Sequence, residues 1–151
     1  MLSTMPRVAA PVSLDSLPDP AVDRGDFPSN AKKSTVRRLL VIDDEPLIRW
    51  SVAETFGELG HEVQVAGTAA EALQAASSAG PFDTILLDLR LADSTDLGLL
   101  DRLRALAPIS RIILMTAYGT PELQRLALAS GASCVLNKPF ELNDVLALVG
   151  A

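Results

Sequence analysis

Residues 38–46 read Arg-Leu-Leu-Val-Ile-Asp-Asp-Glu-Pro, and this stretch decides the fold. Its first five residues form a short apolar run, which is typical of a strand buried on both faces. Asp43, Asp44 and Glu45 end the run, and Pro46 suits the first turn of a helix. The stretch therefore predicts a buried strand that leads through an acidic corner directly into a helix.

The same strand-then-helix unit recurs along the rest of the chain. Helical spacing continues to residue 59, and Thr68 with Glu71 three residues later predicts a capping box on the second helix. Further strands are predicted at residues 62–66, 84–87, 111–115 and 133–136, and further helices at residues 69–78, 96–107, 121–130 and 141–149. Such alternation implies an α/β fold, a doubly wound (βα)5 unit whose parallel five-stranded sheet carries helices on both faces.

The first 35 residues differ from the rest of the chain. They contain five of the ten prolines and show no sustained hydrophobic periodicity. This composition predicts a disordered N-terminal extension over residues 1–35, followed by one domain over residues 36–151.

The bulk composition argues against several classes of protein. A net charge of −6 and a pI near 4.7 are unfavourable for direct nucleic-acid binding, which needs a basic surface. No apolar run reaches the roughly 20 residues of a membrane span, and Pro6 and Pro11 interrupt any stretch resembling a signal peptide. The single cysteine, Cys134, suits a reducing compartment and is expected to be a small core residue. We therefore predict a soluble, cytoplasmic protein that does not bind membranes.

Polar residues follow four of the five predicted strands. Asp43 and Asp44 follow the first strand, Asp88 the third, Thr116 the fourth and Lys138 the fifth. In parallel sheets of this kind, ligands bind beyond the carboxyl ends of the strands. One aspartate at a strand end is more often a helix cap than a ligand. The coincidence at four strand ends favours a shared site instead.

These residue types together predict a phosphoryl-transfer site. Converging carboxylates repel one another, and Mg²⁺ prefers such oxygen ligands. A carboxylate such as Asp88 can also attack phosphorus to give an aspartyl phosphate. The Lys138 ammonium and the Thr116 hydroxyl could then stabilise the other phosphoryl oxygens.

Four motifs in this order resemble the receiver domain of bacterial two-component response regulators. They are Val-Ile-Asp-Asp-Glu-Pro at 41–46, Leu-Leu-Asp-Leu-Arg-Leu at 86–91, Met-Thr-Ala-Tyr-Gly at 115–119 and Lys-Pro-Phe at 138–140. The similarity extends over residues 38–149 and implies a flavodoxin-like fold. The first motif, read on through Leu-Ile-Arg-Trp, looks most like receivers of enhancer-binding, sigma-54-type regulators.

The resemblance implies a role for each acidic residue. Asp88 would be the phosphoacceptor, taking its phosphoryl group from a sensor histidine kinase or a phosphotransfer protein. Asp44 and Asp88 would bind Mg²⁺ directly, together with the backbone carbonyl of Arg90. Asp43 would act mainly through a metal-bound water.

The resemblance also implies how the signal leaves the site. Thr116 and Lys138 would contact the phosphoryl group, and the Lys138–Pro139 peptide would be cis. Phosphorylation would then switch the face made by the fourth helix, the fifth strand and the fifth helix. That face would control an output partner or domain, with transcription as the expected output, or form a homodimer. Such a switch is not an enzyme beyond its Mg²⁺-dependent self-phosphorylation and slow autodephosphorylation.

The sequence departs from the receiver pattern at three positions. Val135 stands three residues before the lysine, where receivers usually carry an aromatic side chain. Ala92 and Asp96 replace a usual proline and glycine in the loop after Asp88, and Asp96 is expected to cap the next helix.

Two other functions stay open at the level of sequence. A phosphatase of the haloacid dehalogenase type would need a second acid two residues after Asp88, where this chain has Arg90. A receiver-like interaction module that is never phosphorylated is the second alternative. The intact set of acidic residues argues against it, but Val135 keeps it open. The cognate kinase, the output pathway, the oligomeric state and the extent of the full-length protein are also open.

Overall fold

Five strands and five helices alternate over residues 36–150, the part of the chain that the computed structural model describes. In chain order they are β1 Arg38–Ile42, α1 Pro46–Glu58, β2 Glu62–Ala66, α2 Ala69–Ser78, β3 Thr84–Asp88, α3 Gly98–Leu106, β4 Arg111–Thr116, α4 Pro121–Ala129, β5 Cys134–Asn137 and α5 Leu142–Val149. The predicted extension over residues 1–35 lies outside the described residues, so it stays a prediction. No helix in residues 36–150 is long and apolar enough to cross a membrane.

All strand pairs in the sheet are parallel, in the order β2-β1-β3-β4-β5. The predicted doubly wound sheet is therefore confirmed. Ile42 of β1 pairs with Leu87 of β3, so the residues that follow them, Asp43 and Asp88, lie side by side. Thr116 pairs with Asn137, the residue before Lys138. The register thus brings the polar strand ends to one edge of the sheet.

Two apolar clusters hold the helices to opposite faces of the sheet. Phe56 of α1 and Val149 of α5 pack on one face. Ala72 of α2, Leu100 of α3 and Ala127 of α4 are buried on the other. With aromatic side chains at only 4% of residues, aliphatic side chains make up most of both layers.

The cap of α2 differs in part from the predicted capping box. The Thr68 side chain accepts a hydrogen bond from the Glu71 amide at 3.1 Å, as expected. The Glu71 carboxylate, however, accepts from the amide of Gly67 at 2.7 Å and does not return to Thr68. Both side chains still satisfy donors at the helix start, which would otherwise lack partners.

The prediction that Asp96 caps α3 is wrong. Asp96 Oδ1 accepts a hydrogen bond from the amide of Gly98, only two residues later, at 2.9 Å. This local turn postpones the helix, because α3 begins at Gly98 and its N-cap position is Leu97, which makes no side-chain cap.

Candidate functional site

Three carboxylates converge at the carboxyl edge of the sheet. Oxygen atoms of Asp43, Asp44 and Asp88 all lie within 4.8 Å of one another. Asp43 is fully buried and Asp88 is 6% exposed, whereas Asp44 is open to solvent. The predicted convergence of these residues is present, and it leaves one carboxylate facing the solvent.

Lys138 places its ammonium among these carboxylates. Its Nζ atom lies 2.8 Å from Asp43 Oδ2 and 3.3 Å from Asp88 Oδ2. It also lies 3.3 Å from Glu45 Oε1, a contact that the sequence did not predict. The lysine therefore balances part of the negative charge of these carboxylates.

The charges and burial of this site shift two pKa values. Burial, followed by the charge of Asp43, raises the pKa of Asp88 to about 6. Burial alone would lower the pKa of Lys138, but its hydrogen bond to Asp43 and the charges of Asp43 and Asp88 outweigh this effect and raise that pKa. A divalent cation beside Asp88 would favour its ionised form.

Backbone hydrogen bonds orient the two buried carboxylates. The amide of Glu45 donates to Asp43 Oδ1 at 2.9 Å, and the amide of Arg90 donates to Asp88 Oδ1 at 3.2 Å. The Arg49 guanidinium donates to the backbone carbonyl of Asp43 at 2.7 Å. Arg49 was not identified from the sequence, because its contact depends on where the first turn of α1 lies in space.

Thr116 is buried at the end of β4, level with the site. Its hydroxyl oxygen accepts a hydrogen bond from the Tyr118 amide at 3.1 Å, and a hydroxyl that accepts can still donate its own proton. Its backbone carbonyl accepts from the amide of Lys138 at 2.7 Å, which joins β4 to the residue that follows β5. Thr116 thus lies where the sequence placed it.

The residues around Thr116 differ from those of an ordinary receiver. Val135 is partly buried and packs against the core beneath α4, opposite Leu114. Tyr118 is 70% exposed, and the Arg90 guanidinium lies 5.7 Å from its ring centroid. The aromatic side chain near the site therefore lies outside the core, beside the Arg90 side chain.

A cleft of about 730 Å³ adjoins the carboxylates. Asp44, Asp88 and Lys138 line its polar end, and Leu47 of α1 and Phe140 belong to its apolar wall. The Lys138–Pro139 peptide at its margin is cis, as the family resemblance implied. Asp88 is therefore one of the residues that line this cleft.

Cys134 lies apart from this chemistry. Its side chain is partly buried, and burial raises the pKa of its thiol despite the opposing charge of Arg111. A thiol with a raised pKa is a poor nucleophile, which agrees with the expected core role.

The chain is similar in sequence to known regulatory proteins. The family profile described as "Response regulator receiver domain" matches residues 39–150. The photosynthetic apparatus regulatory protein RegA of Rhodovulum sulfidophilum is 38% identical over 109 residues, and the DNA-binding transcriptional regulator NtrC of Azospirillum brasilense is 33% identical over 111 residues. These alignments cover 72% and 74% of this chain, but 58% and 23% of those proteins. The chain thus spans only part of the length of these relatives.

Solved structures show the same similarity in three dimensions. A CheY-like receiver domain protein from Methanospirillum hungatei JF-1 matches with a TM-score of 0.72 at 29% identity, covering 77% of this chain and 92% of that one. A response regulator from Burkholderia pseudomallei, whose structure contains a phosphorylated aspartic acid, a calcium ion and citrate, matches with a TM-score of 0.69 at 32% identity. That match covers 75% of this chain and 66% of the other.

Proposed function

Because the chain belongs to the response regulator receiver domain family, as its motifs predicted, we propose that it is a phosphorylatable switch whose phosphoacceptor is Asp88. The observation that carries this proposal is the meeting of Asp43, Asp44 and Asp88 with Lys138 at one edge of the sheet. The phosphorylated aspartic acid in the Burkholderia pseudomallei relative supports the same chemistry. The donor would be a phosphohistidine on a sensor histidine kinase or on a phosphotransfer protein.

The acidic residues also fit a Mg²⁺ ion. Asp44 and Asp88 would bind it directly with the backbone carbonyl of Arg90, and Asp43 would act through a water molecule. The close carboxylate oxygens and the solvent-open position of Asp44 support this assignment, since Mg²⁺ keeps several of its waters. When bound, the ion would neutralise charge on the phosphoryl oxygens.

The side chains that would take part in the transfer already lie at the site, and Mg²⁺ would supply the remaining positive charge. A carboxylate oxygen of Asp88 attacks the phosphorus atom, and the phosphorus–nitrogen bond of the donor breaks with its electron pair passing to the imidazole. Lys138 moves from Asp88 to a phosphoryl oxygen, and the Thr116 hydroxyl donates to another. Activity is then limited to this self-phosphorylation and to slow hydrolysis of the aspartyl phosphate, so the protein is a switch and not an enzyme with a separate substrate.

The output surface in this proposal is the α4–β5–α5 face. Helix α4 buries Ala127 but leaves Leu126 40% exposed and Leu128 52% exposed, which provides apolar side chains for a partner or a second copy. Transcriptional output is supported by the relatives that are named as transcriptional regulators. The acidic charge favours action through such a partner over direct contact with nucleic acid. We place this switch in the cytoplasm, where kinases of this class would meet it.

Labelling with acetyl phosphate in the presence and absence of Mg²⁺ tests the proposal. The wild-type chain should be labelled only with Mg²⁺, and Asp88→Asn should not be labelled. Asp101→Asn is the matched control, because Asp101 is an exposed acid on α3, and it should label like the wild type. Full labelling of Asp88→Asn would exclude the assigned phosphoacceptor. A wild-type chain that never takes up phosphate would point to an interaction module.

A further inference from the structure

The loop after β3 is tied to the start of α2 by the side chain of Asp93. Asp93 Oδ1 accepts a hydrogen bond from the amide of Ala69 at 2.8 Å, and Oδ2 accepts from the amide of Ala70 at 3.2 Å. These residues lie 24 and 23 positions apart in the sequence from Asp93. The contact therefore joins two separate elements of the fold.

The contact has a clear physical basis. Ala69 and Ala70 open α2, where backbone amides have no partner within the helix. A carboxylate also interacts favourably with the positive end of the helix dipole. The bonds from these amides lower the pKa of Asp93, the Ala69 amide contributing most. The side chain is thus ionised and held at neutral pH.

Asp93 lies in a short turn that begins one residue after Arg90. Leu91 and Ser94 exchange two backbone hydrogen bonds, at 2.8 and 3.2 Å, which close the turn. Leu91 is buried, whereas Ala92 replaces the usual proline and leaves the local backbone without a fixed φ angle. The Asp93 contact with α2 supplies a constraint that the sequence of the turn lacks.

We propose that Asp93 is a positioning residue for the metal site: by fastening this turn to α2, it holds the Arg90 carbonyl toward a Mg²⁺ ion bound by Asp44 and Asp88. This inference rests on the proposed function, because it assumes that the site takes up Mg²⁺. Asp93 itself acts through the backbone and contacts neither the metal nor the phosphoryl group.

The test is calorimetric titration of the whole chain with Mg²⁺. Asp93→Ala should raise the Mg²⁺ dissociation constant by about tenfold, the low end of what outer-shell partners of metals contribute. Asp93→Asn, which keeps one acceptor oxygen, should fall between Asp93→Ala and the wild type. The control is Thr68→Ala, which removes the other side-chain cap of α2 without touching the turn, and it should stay within about twofold of the wild type.

The outcomes separate a positioning role from a purely structural one. A wild-type dissociation constant in either Asp93 variant would overturn the inference, and so would an equal increase in Thr68→Ala. Thermal unfolding in EDTA should show comparable losses of stability for Asp93→Ala and Thr68→Ala, since both remove one helix cap. A wild-type chain that binds no Mg²⁺ would instead refute the proposed function itself.

Discussion

Without metal, Asp88→Asn should stabilise the protein at neutral pH. Burial and the charge of Asp43 raise the pKa of Asp88 to about 6, against an ordinary value of 3.8, so ionisation is less favourable in the folded protein than in the unfolded chain. At about 1.36 kcal/mol for each pKa unit, this difference amounts to roughly 3 kcal/mol at pH 7. Asparagine is a neutral analogue of the protonated side chain. Because neighbouring groups and water relax around a charge, we expect a gain of about 1–3 kcal/mol in the free energy of unfolding.

The size of this gain should depend on pH. Between about pH 3.8 and 6, folded Asp88 keeps a proton that the unfolded chain has lost. The contribution of this group to stability therefore falls as the pH rises through that window. Asparagine does not titrate, so the difference between Asp88→Asn and the wild type should be small at pH 4 and reach its full value by pH 7.

Urea unfolding in EDTA, followed by circular dichroism, measures this difference. Asp101→Asn should change the free energy of unfolding by less than about 0.5 kcal/mol, as exposed substitutions usually do. Excess Mg²⁺ should stabilise the wild type more than Asp88→Asn and so reduce the difference between their free energies of unfolding. This prediction would be refuted if Asp88→Asn were less stable than the wild type at pH 7. It would also be refuted if the gain in the free energy of unfolding were the same at pH 4 as at pH 7.

Four further predictions follow from the structure. Asp44→Ala should weaken Mg²⁺ binding more than Thr116→Ala in calorimetric titrations; equal affinities would contradict their assigned roles. Arg104→Ala should lower the free energy of unfolding by about 2–3 kcal/mol in urea titrations, because the guanidinium donates to four backbone carbonyls that follow α3 and α4. Arg104→Lys keeps the charge and should recover only part of this stability. Full recovery in Arg104→Lys would contradict the role of the guanidinium geometry. Val135→Tyr should enlarge the NMR shift changes that beryllofluoride, a phosphoryl mimic, causes in α4, since valine is smaller than the aromatic side chain that receivers usually carry at this position; unchanged shifts would show that this position does not limit the switch. Removal of residues 1–35 should leave acetyl phosphate labelling intact, and a loss of labelling would assign those residues a role at the site.

The strand ends were predictable because periodicity and topology act together. Because a buried apolar run stops at Asp43 and another at Asp88, the sequence itself predicts where these strands end. Parallel pairing then brings the strand ends to one edge of the sheet. The contacts of Asp93 and Arg49 were not predictable in the same way. Each depends on where a loop or a helix turn lies in space, and spacing along the chain does not contain that information.

Residue types in turns predicted the helix caps less well than hydrophobic periodicity predicted the strand ends. Asp96 has the residue type of a helix cap, yet it folds back on the amide two residues later and delays α3 to Gly98. Glu71 likewise bonds to Gly67 and not to Thr68. Short polar side chains often have two neighbouring amides within reach, so residue type alone does not decide between them.

Helix α4 is fastened to the sheet more lightly than its neighbours. Ala127 is its one buried residue, whereas α3 buries three leucines and α2 three alanines. Because fewer fully buried apolar side chains hold α4 than α3, we expect α4 to open locally at a lower free energy than α3. A phosphoryl group needs only a modest difference in affinity between two arrangements to redistribute such a loosely held element. The small number of buried side chains beneath α4 would thus lower the free energy that phosphorylation must supply to move this helix.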